Sequence, residues 1–431
     1  MTTPGVLSVP SLTKTGMSYV VKWEEGVEIQ FRGLYAHKDK NVDAFVTILD
    51  YAELAGPRLL GPFRGSISKT WRSVITELND ISERGDWRQR LTQASALVQA
   101  AYASGQPAVA LGLIDSPPTA RELIQNVLWA GTPAIIFGPP GIGKSLFGLH
   151  LISSTHLGRP FANLPSEQKN SMWLDWETNQ SLAHWRNKEI MDSLGLDAGV
   201  WPDPERPDLQ RSGLVYYKQM VGPLADSIES LSEEIAAMNV GVLLVDSANP
   251  ACGGEAESGQ ATESFYAALR ALKADEDPLS VIIIAHMTKA SQDVGKANYS
   301  TPFGSVFWTA RARDTYELKA SKKKNSNYAD LMLHHRKTNM GPLREPLAFR
   351  MSWGPANIET LDVRANAELV AGLPYGDRAH ILIEQHGPLK TEELADLMDL
   401  SKRTLASTLS RDDRFEFEAV NGRWTPSGVD W

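Results

Sequence analysis

Gly138-Pro139-Pro140-Gly141-Ile142-Gly143-Lys144-Ser145 decides how this chain folds. The octapeptide fits G-x-x-x-x-G-K-[ST]. An apolar run, Ala134–Phe137, precedes it, and a helical stretch opening at Leu146-Phe147-Gly148 follows. A strand before and a helix after are the context such a loop requires. Its glycines let successive backbone N–H groups close around a phosphate, and the helix N-terminus adds positive potential. The spacing predicts a nucleoside-triphosphate site over Gly138 to Leu146. Lys144 is expected on the β- and γ-phosphates and Ser145 on a Mg²⁺ ion.

Downstream, more apolar runs end in polar residues. Val240–Val245 leads into Asp246-Ser247. Alone, such an acid reads equally well as a helix N-cap. Behind a phosphate loop about 100 residues upstream it reads as a Mg²⁺ contact made through water. Ser171-Met172-Trp173-Leu174-Asp175-Trp176-Glu177-Thr178 ends in two acids. Carboxylates at the C-terminal end of a parallel strand face the ligand edge of the sheet. Glu177 is the candidate general base and Asp175 its competitor, since strand alternation places both on one face. Ser280–Ala285 leads into His286, Thr288 and Lys289, and His286 is the candidate sensor of the γ-phosphate.

Short apolar strands separated by helical stretches predict an α/β fold with a parallel sheet covered on both faces. Arg313–Ala320, Asp330–Thr338 and Arg344–Ser352 read as further strands, the first two joined by a Lys-rich loop. This core is expected over about 118–362, with Pro117–Ala130 as a linker and leading helix.

The ordered set resembles RecA-like P-loop ATPases of the AAA type. The closest likeness is to RepA-type and DnaB-type hexameric replicative helicases of plasmids, phages and mobile elements. The residues that carry it are the phosphate loop, Glu177, Asp246-Ser247, Ala251-Cys252-Gly253-Gly254, His286 and Gly304-Ser305. The resemblance covers about 118–360 and partly the segment before it. It implies Glu177 as the catalytic glutamate and Arg186, nine residues on, near the nucleotide. It implies Arg313 as an arginine finger acting on the neighbouring subunit, with Arg311 as its rival. Arg336-Lys337-Thr338-Asn339-Met340-Gly341 would face the neighbour's nucleotide. ATP and Mg²⁺ would then lie between subunits of a ring or filament, and DNA is the expected partner. No DnaB-like N-terminal bundle is recognisable, and the segment after His286 carries only Lys296 beyond Lys289 as a DNA-binding pore loop.

Residues 1–17 read as a flexible tail. Tyr19–Trp23, Val27–Phe31 and Ala44–Ile48 alternate as strands, and Thr70–Arg84 and Trp87–Ala103 have helical periodicity. Together 18–110 form a small α+β domain. At the other end, 375–431 reads as a winged helix-turn-helix. Its helices are expected at Asp377–Gln385, Thr391–Met398 and Ser401–Ser410, with a hairpin around Asn421-Gly422 by a type I′ turn. Lys402, Arg403, Arg411, Arg414 and Arg423 are its candidate phosphate contacts, yet 376–431 holds 7 basic and 11 acidic residues.

The 431 residues carry a net charge of −9, so the overall field does not attract nucleic acid and any DNA site must be local. One cysteine, Cys252, excludes an intramolecular disulfide and fits a reducing cytoplasm. Neither a signal peptide nor a membrane span is recognisable. The expected activity is ATP hydrolysis coupled to DNA transactions by a replicative-type helicase or helicase-like motor. Two alternatives stand beside it: a recombination-mediator-like ATPase that does not unwind DNA, and an ATP-gated winged-helix transcriptional regulator.

Overall fold

The computed structural model describes residues 7–15, 18–36, 42–51, 58–66, 71–81, 86–104, 121–196, 200–202, 210–212, 215–255, 258–272, 279–287, 302, 306–321, 326–365, 370–371 and 373–427. The chain forms two compact units. The first takes its sheet from the N-terminal segment. β1 (Ser11–Thr15), β2 (Ser18–Trp23), β3 (Val27–Ala36), β4 (Val42–Asp50) and β5 (Arg58–Ser66) form an antiparallel sheet in chain order. Alternation puts Tyr19, Val21, Trp23, Ile29, Phe31, Val46 and Ile48 on one buried face. Trp71 and Leu78, on and just before α1 (Arg72–Ile81), and Trp87, Leu91 and Val98 of α2 (Trp87–Ser104) cover that face. Residues 221–239 and 249–278 also belong to this unit.

Two expectations fail here. Ser11–Thr15 is an edge strand rather than tail, because its backbone pairs with β2. β5 was not foreseen, since Leu59-Leu60-Gly61-Pro62-Phe63 does not alternate; its place at the other edge tolerates a proline that donates no ladder hydrogen bond.

The second unit begins with a hairpin, β6 (Glu122–Ile124) and β7 (Leu128–Trp129), where a leading helix was expected. Leu123, Ile124, Val127 and Leu128 repeat at helical spacing, but Asn126 turns the chain at φ +64°. The sheet that follows contains β8 (Pro133–Gly138), β9 (Asn170–Asp175), β12 (Tyr216–Gln219), β13 (Val240–Asp246), β14 (Ser280–His286), β15 (Asp314–Ser321), β16 (Tyr328–Thr338), β17 (Leu347–Ser352) and β18 (Asn357–Leu361). A minor hairpin of β10 (Val200–Pro202) and β11 (Gln210–Ser212) lies outside it. The order is β12-β9-β13-β14-β8-β15-β16-β17-β18. The first six are parallel and the last three antiparallel.

Thus β14 separates the phosphate-loop strand from the Asp246 strand, and the C-terminal ends of all three share one edge. α3 (Lys144–Leu157) packs almost wholly buried against β9, β13 and β14. It comes close because Gly148 has no side chain; a Cβ there would meet Leu244 at 2.8 Å. α4 (Gln180–Ser193) is N-capped by Asn179, whose side chain accepts from Leu182 N at 2.9 Å.

The chain ends in helices Tyr375–His386, Thr391–Met398 and Lys402–Leu409, with β19 (Leu389–Lys390), β20 (Phe415–Glu418) and β21 (Arg423–Pro426) in the order β19-β21-β20. Ile383, Leu394, Leu405, Leu409 and Trp424 form their common core. The Asn421-Gly422 turn differs from the expectation. Glu418 pairs with Arg423, leaving a four-residue loop in which Gly422 has φ +64° and donates to Glu418 O at 2.7 Å. Asn421 is not left-handed, so this is no type I′ turn.

Candidate active site

The phosphate loop leaves β8 at Gly138, where a Cβ would lie 2.4 Å from the Leu318 carbonyl oxygen. Gly141 and Gly143 turn at φ +75° and +95°, and Gly143 caps α3. Lys144 lies back over its own loop, donating to the carbonyls of Gly138 at 3.0 Å and Pro139 at 2.8 Å. Desolvation pushes its ammonium down to about 8, against the opposing pull of Asp246 and Glu177.

Asp246, at the end of β13, is 1% exposed and neither carboxylate oxygen has a hydrogen-bond partner. Burial pushes its carboxyl up to about 7; the nearby Ser145 hydroxyl opposes this without sound hydrogen-bond geometry, and the charges of Glu177 and Asp175 add to it. An orphaned buried carboxylate beside a serine hydroxyl is an all-oxygen donor set that suits Mg²⁺. Among the described residues no cluster of three or more His, Cys, Asp or Glu could hold a metal unaided. The remaining ligands would have to be phosphate oxygens and water, which is how Mg²⁺ is usually held beside a nucleotide.

The two acids after β9 separate sharply. Asp175 is wholly buried. Its Oδ1 accepts from Glu177 N at 2.9 Å and Thr178 N at 3.1 Å, and its Oδ2 from the hydroxyls of Thr178 and, at 3.2 Å, Tyr217. Desolvation and the Asp175 charge push the Tyr217 phenol up to about 12, keeping it a donor. Glu177 projects past this clamp. Its Oε1 accepts from Ser247 Oγ at 2.6 Å and lies 3.4 Å from His286 Nε2. His286, with help from Ser247 and the Lys144 charge, holds its carboxyl down to about 2 despite partial burial. Asp175 and Glu177 do not share a strand face as expected, because β9 ends at Asp175 and the backbone bends before Glu177.

One cleft of about 400 Å³ gathers Gly141, Gly143, Lys144, Ser145, Leu146, Glu177, Arg186, Asp246 and His286. That volume accommodates a nucleotide-sized ligand. Leu182, Trp185 and Glu189 of α4 complete it, with Trp353, Gly354 and Ala356 from the turn between β17 and β18. Sequence reasoning did not find these, nor Ser247 as partner of Glu177. The only signal was the i, i+3, i+4, i+7 spacing of Leu182, Trp185, Arg186 and Glu189 on one helix face.

Arg313 and Lys337 are not in this cleft. Arg313 precedes β15, and its N–H donates to Pro133 O at 2.9 Å, at the start of β8. Five residue steps of strand lead from that point to Gly138, roughly 16 Å. Lys337 lies at the same far edge, and its ammonium donates to Ala312 O. Burial and then the Arg313 charge lower its pKa. Neither Lys337 nor Arg313 reaches the cleft of its own chain. Arg336 is bound by Glu317 through Nε at 2.8 Å and through Nη2. Thr288, Lys289, Lys296, Gly304 and Ser305 lie outside the described residues.

A buried parallel sheet with one strand between the phosphate-loop and Asp246 strands, and an acid on the next strand beside them, defines a P-loop ATPase of the RecA-like class. The family model of an AAA domain matches residues 101–292. A KaiC-like protein from the hyperthermophilic archaeon Pyrococcus horikoshii is similar over 56% of this chain and 94% of its own, at 16% identity and a TM-score of 0.36. No curated protein matches the chain. No helix among the described residues is long and apolar enough to cross a membrane.

Proposed function

We propose that the chain hydrolyses ATP with Mg²⁺ at sites shared between copies of itself in a ring or filament, and couples this to work on DNA as a replicative-type helicase or helicase-like motor. The observation that carries the shared site is the division of charge between two sheet edges. The phosphate loop and Glu177 stand at one, Arg313 and Lys337 at the other, so a head-to-tail neighbour can bring the second set to the first.

In this reading Lys144 gives up its loop carbonyls for the β- and γ-phosphates, and Gly141, Gly143 and the start of α3 turn N–H groups toward them. Ser145 and, through water, Asp246 would hold Mg²⁺, which would supply positive charge to the phosphate oxygens. Glu177, oriented by Ser247 and His286 and ionised at neutral pH, accepts a proton from the attacking water. Arg313 of the neighbouring copy faces the charge that develops as the phosphoryl group leaves. His286 touches Glu177 and so connects the γ-phosphate position with the segment that follows β14.

The DNA part rests on the family resemblance. Lys402 pairs with Glu392 at 3.0 Å, Arg414 with Asp377 and Asp412, and Arg423 donates to Pro388 O at 2.8 Å. With these donors engaged, a regulator gripping duplex DNA through that unit is disfavoured against a motor.

A forked-duplex assay with full-length protein, Mg²⁺ and ATP tests this. Strand displacement with single-strand-stimulated hydrolysis is expected, both abolished by Lys144→Ala. Stimulated hydrolysis without displacement would favour the mediator reading, and hydrolysis indifferent to DNA would remove the DNA coupling.

A further inference from the structure

We propose that Glu189 reads the base of the bound nucleotide by accepting a hydrogen bond from the 6-amino group of adenine. The inference deepens the nucleotide-site reading and rests on it. α4 starts three residues after Glu177, which lines the cleft beside Lys144. Leu182, Trp185, Arg186 and Glu189 all line the cleft. From Leu182 to Glu189 the helix advances about 10 Å, which carries Glu189 from the phosphate end toward the position of a base.

Three observations mark that end as a base site. Glu189 Oε2 is buried and has no hydrogen-bond partner, although the residue lines the cavity. A buried acceptor without a donor is costly, and a ligand donor relieves the cost. Trp185, 56% exposed, and Trp353 from the turn between β17 and β18 supply flat apolar surface of the kind a purine ring stacks on. Finally, among the described residues no other carboxylate lines this end, since Glu177 and Asp246 belong to the phosphate end. Adenine offers one donor, its 6-amino group, and the base end offers one unpartnered carboxylate. A 6-oxopurine in the same pose would set an acceptor against it.

The test uses the full-length chain with Mg²⁺ and competition against a fluorescent ATP analogue. Affinities are measured for ATP, for the triphosphate of purine riboside, which lacks the 6-amino group, and for GTP. Wild type should prefer ATP over the purine riboside triphosphate by roughly 10- to 100-fold, the range of a hydrogen bond to a charged group. Glu189→Ala should shrink that ratio to within about twofold while still binding the purine riboside triphosphate, which doubles as a folding control. Glu189→Gln, neutral but still an acceptor, should fall between. The proposal is overturned if Glu189→Ala or Glu189→Gln keeps the wild-type ratio, if wild type shows no preference, or if GTP binds more tightly than ATP. If Lys144→Ala leaves all three affinities unchanged, the phosphate-site reading fails and takes the proposal with it.

Discussion

Thr178 and Tyr217 hold Asp175 with their hydroxyls, while Glu177 two residues on keeps one carboxylate oxygen clear for chemistry. The two acids should therefore fail differently when neutralised. Glu177→Gln should bind Mg-ATP normally and lose turnover by about 10²-fold or more, the usual range for a lost general base. Asp175→Asn, which breaks a saturated buried acceptor, should instead cost roughly 1–3 kcal/mol of stability while a folded fraction still turns over. Equilibrium nucleotide binding, steady-state turnover and urea unfolding on both variants check this; a Glu177→Gln enzyme at wild-type rate would exchange the roles. Asp246 carries a second prediction. Its carboxyl is raised from the ordinary carboxylate value to about 7 by burial, so between about pH 4 and pH 7 the folded chain holds a proton that the unfolded chain has lost. Stability without nucleotide or metal should fall as pH rises through that window. Asp246→Asn removes the buried charge and should raise the thermal midpoint at pH 8, by an amount equivalent to roughly 1–3 kcal/mol, with little effect at pH 4. A midpoint equally low in the variant at pH 8 would contradict the buried-charge explanation. The phosphate loop and Asp246 could be read from the sequence because strand, loop and helix chemistry coincide there. The roles of Ser247 and Glu189 could not, because nothing local says which buried atom lacks a partner.

Among the elements, β8, β9, β13 and β14 were legible as continuous apolar runs, each close to its observed bounds. α3 has no polar face, so it is recognised by the loop that opens it rather than by periodicity. β12 and β18 are short and polar and sit at the two edges of the sheet, where one-sided burial leaves little pattern. The hairpin of β6 and β7 was misread because a single left-handed asparagine overrides four residues at helical spacing. The C-terminal helices were legible through their caps, Ser401 above all, which accepts from Thr404 N at 3.1 Å. Their attachment was not. Ile381 of helix Tyr375–His386 joins Leu373, Met332 of β16 and Ala348 of β17 in a small apolar cluster. This predicts that the C-terminal unit supports the core sheet. Ile381→Ala should lower the urea midpoint by about 2 kcal/mol in free energy with turnover per folded molecule unchanged. An unaltered midpoint would show that the cluster adds no stability.

For the whole molecule, what matters is how the candidate residues divide between the two ends of the parallel strands. The parallel strands carry the phosphate loop, Glu177 and Asp246 at their C-terminal ends, while Arg313 and Lys337 lie at the opposite edge. Arg336 is bound to Glu317 of its own chain. The division of residues between two edges could not be read from the sequence, since it follows from the direction of β15 and β16 and not from any motif. Arg313→Ala should bind ATP and lose most turnover, and Lys144→Ala should lose both. The decisive measurement is ATP turnover of a 1:1 mixture of these two inactive proteins, after subunit exchange has been confirmed by a label on each. An interface pairing the intact phosphate loop of one with the intact finger of the other restores a complete site. In random head-to-tail assembly this occurs at about a quarter of interfaces, so turnover should recover toward about a quarter of wild type. Confirmed exchange with no recovery, or Arg313→Ala alone hydrolysing ATP at the wild-type rate, would contradict a site shared between copies through Arg313.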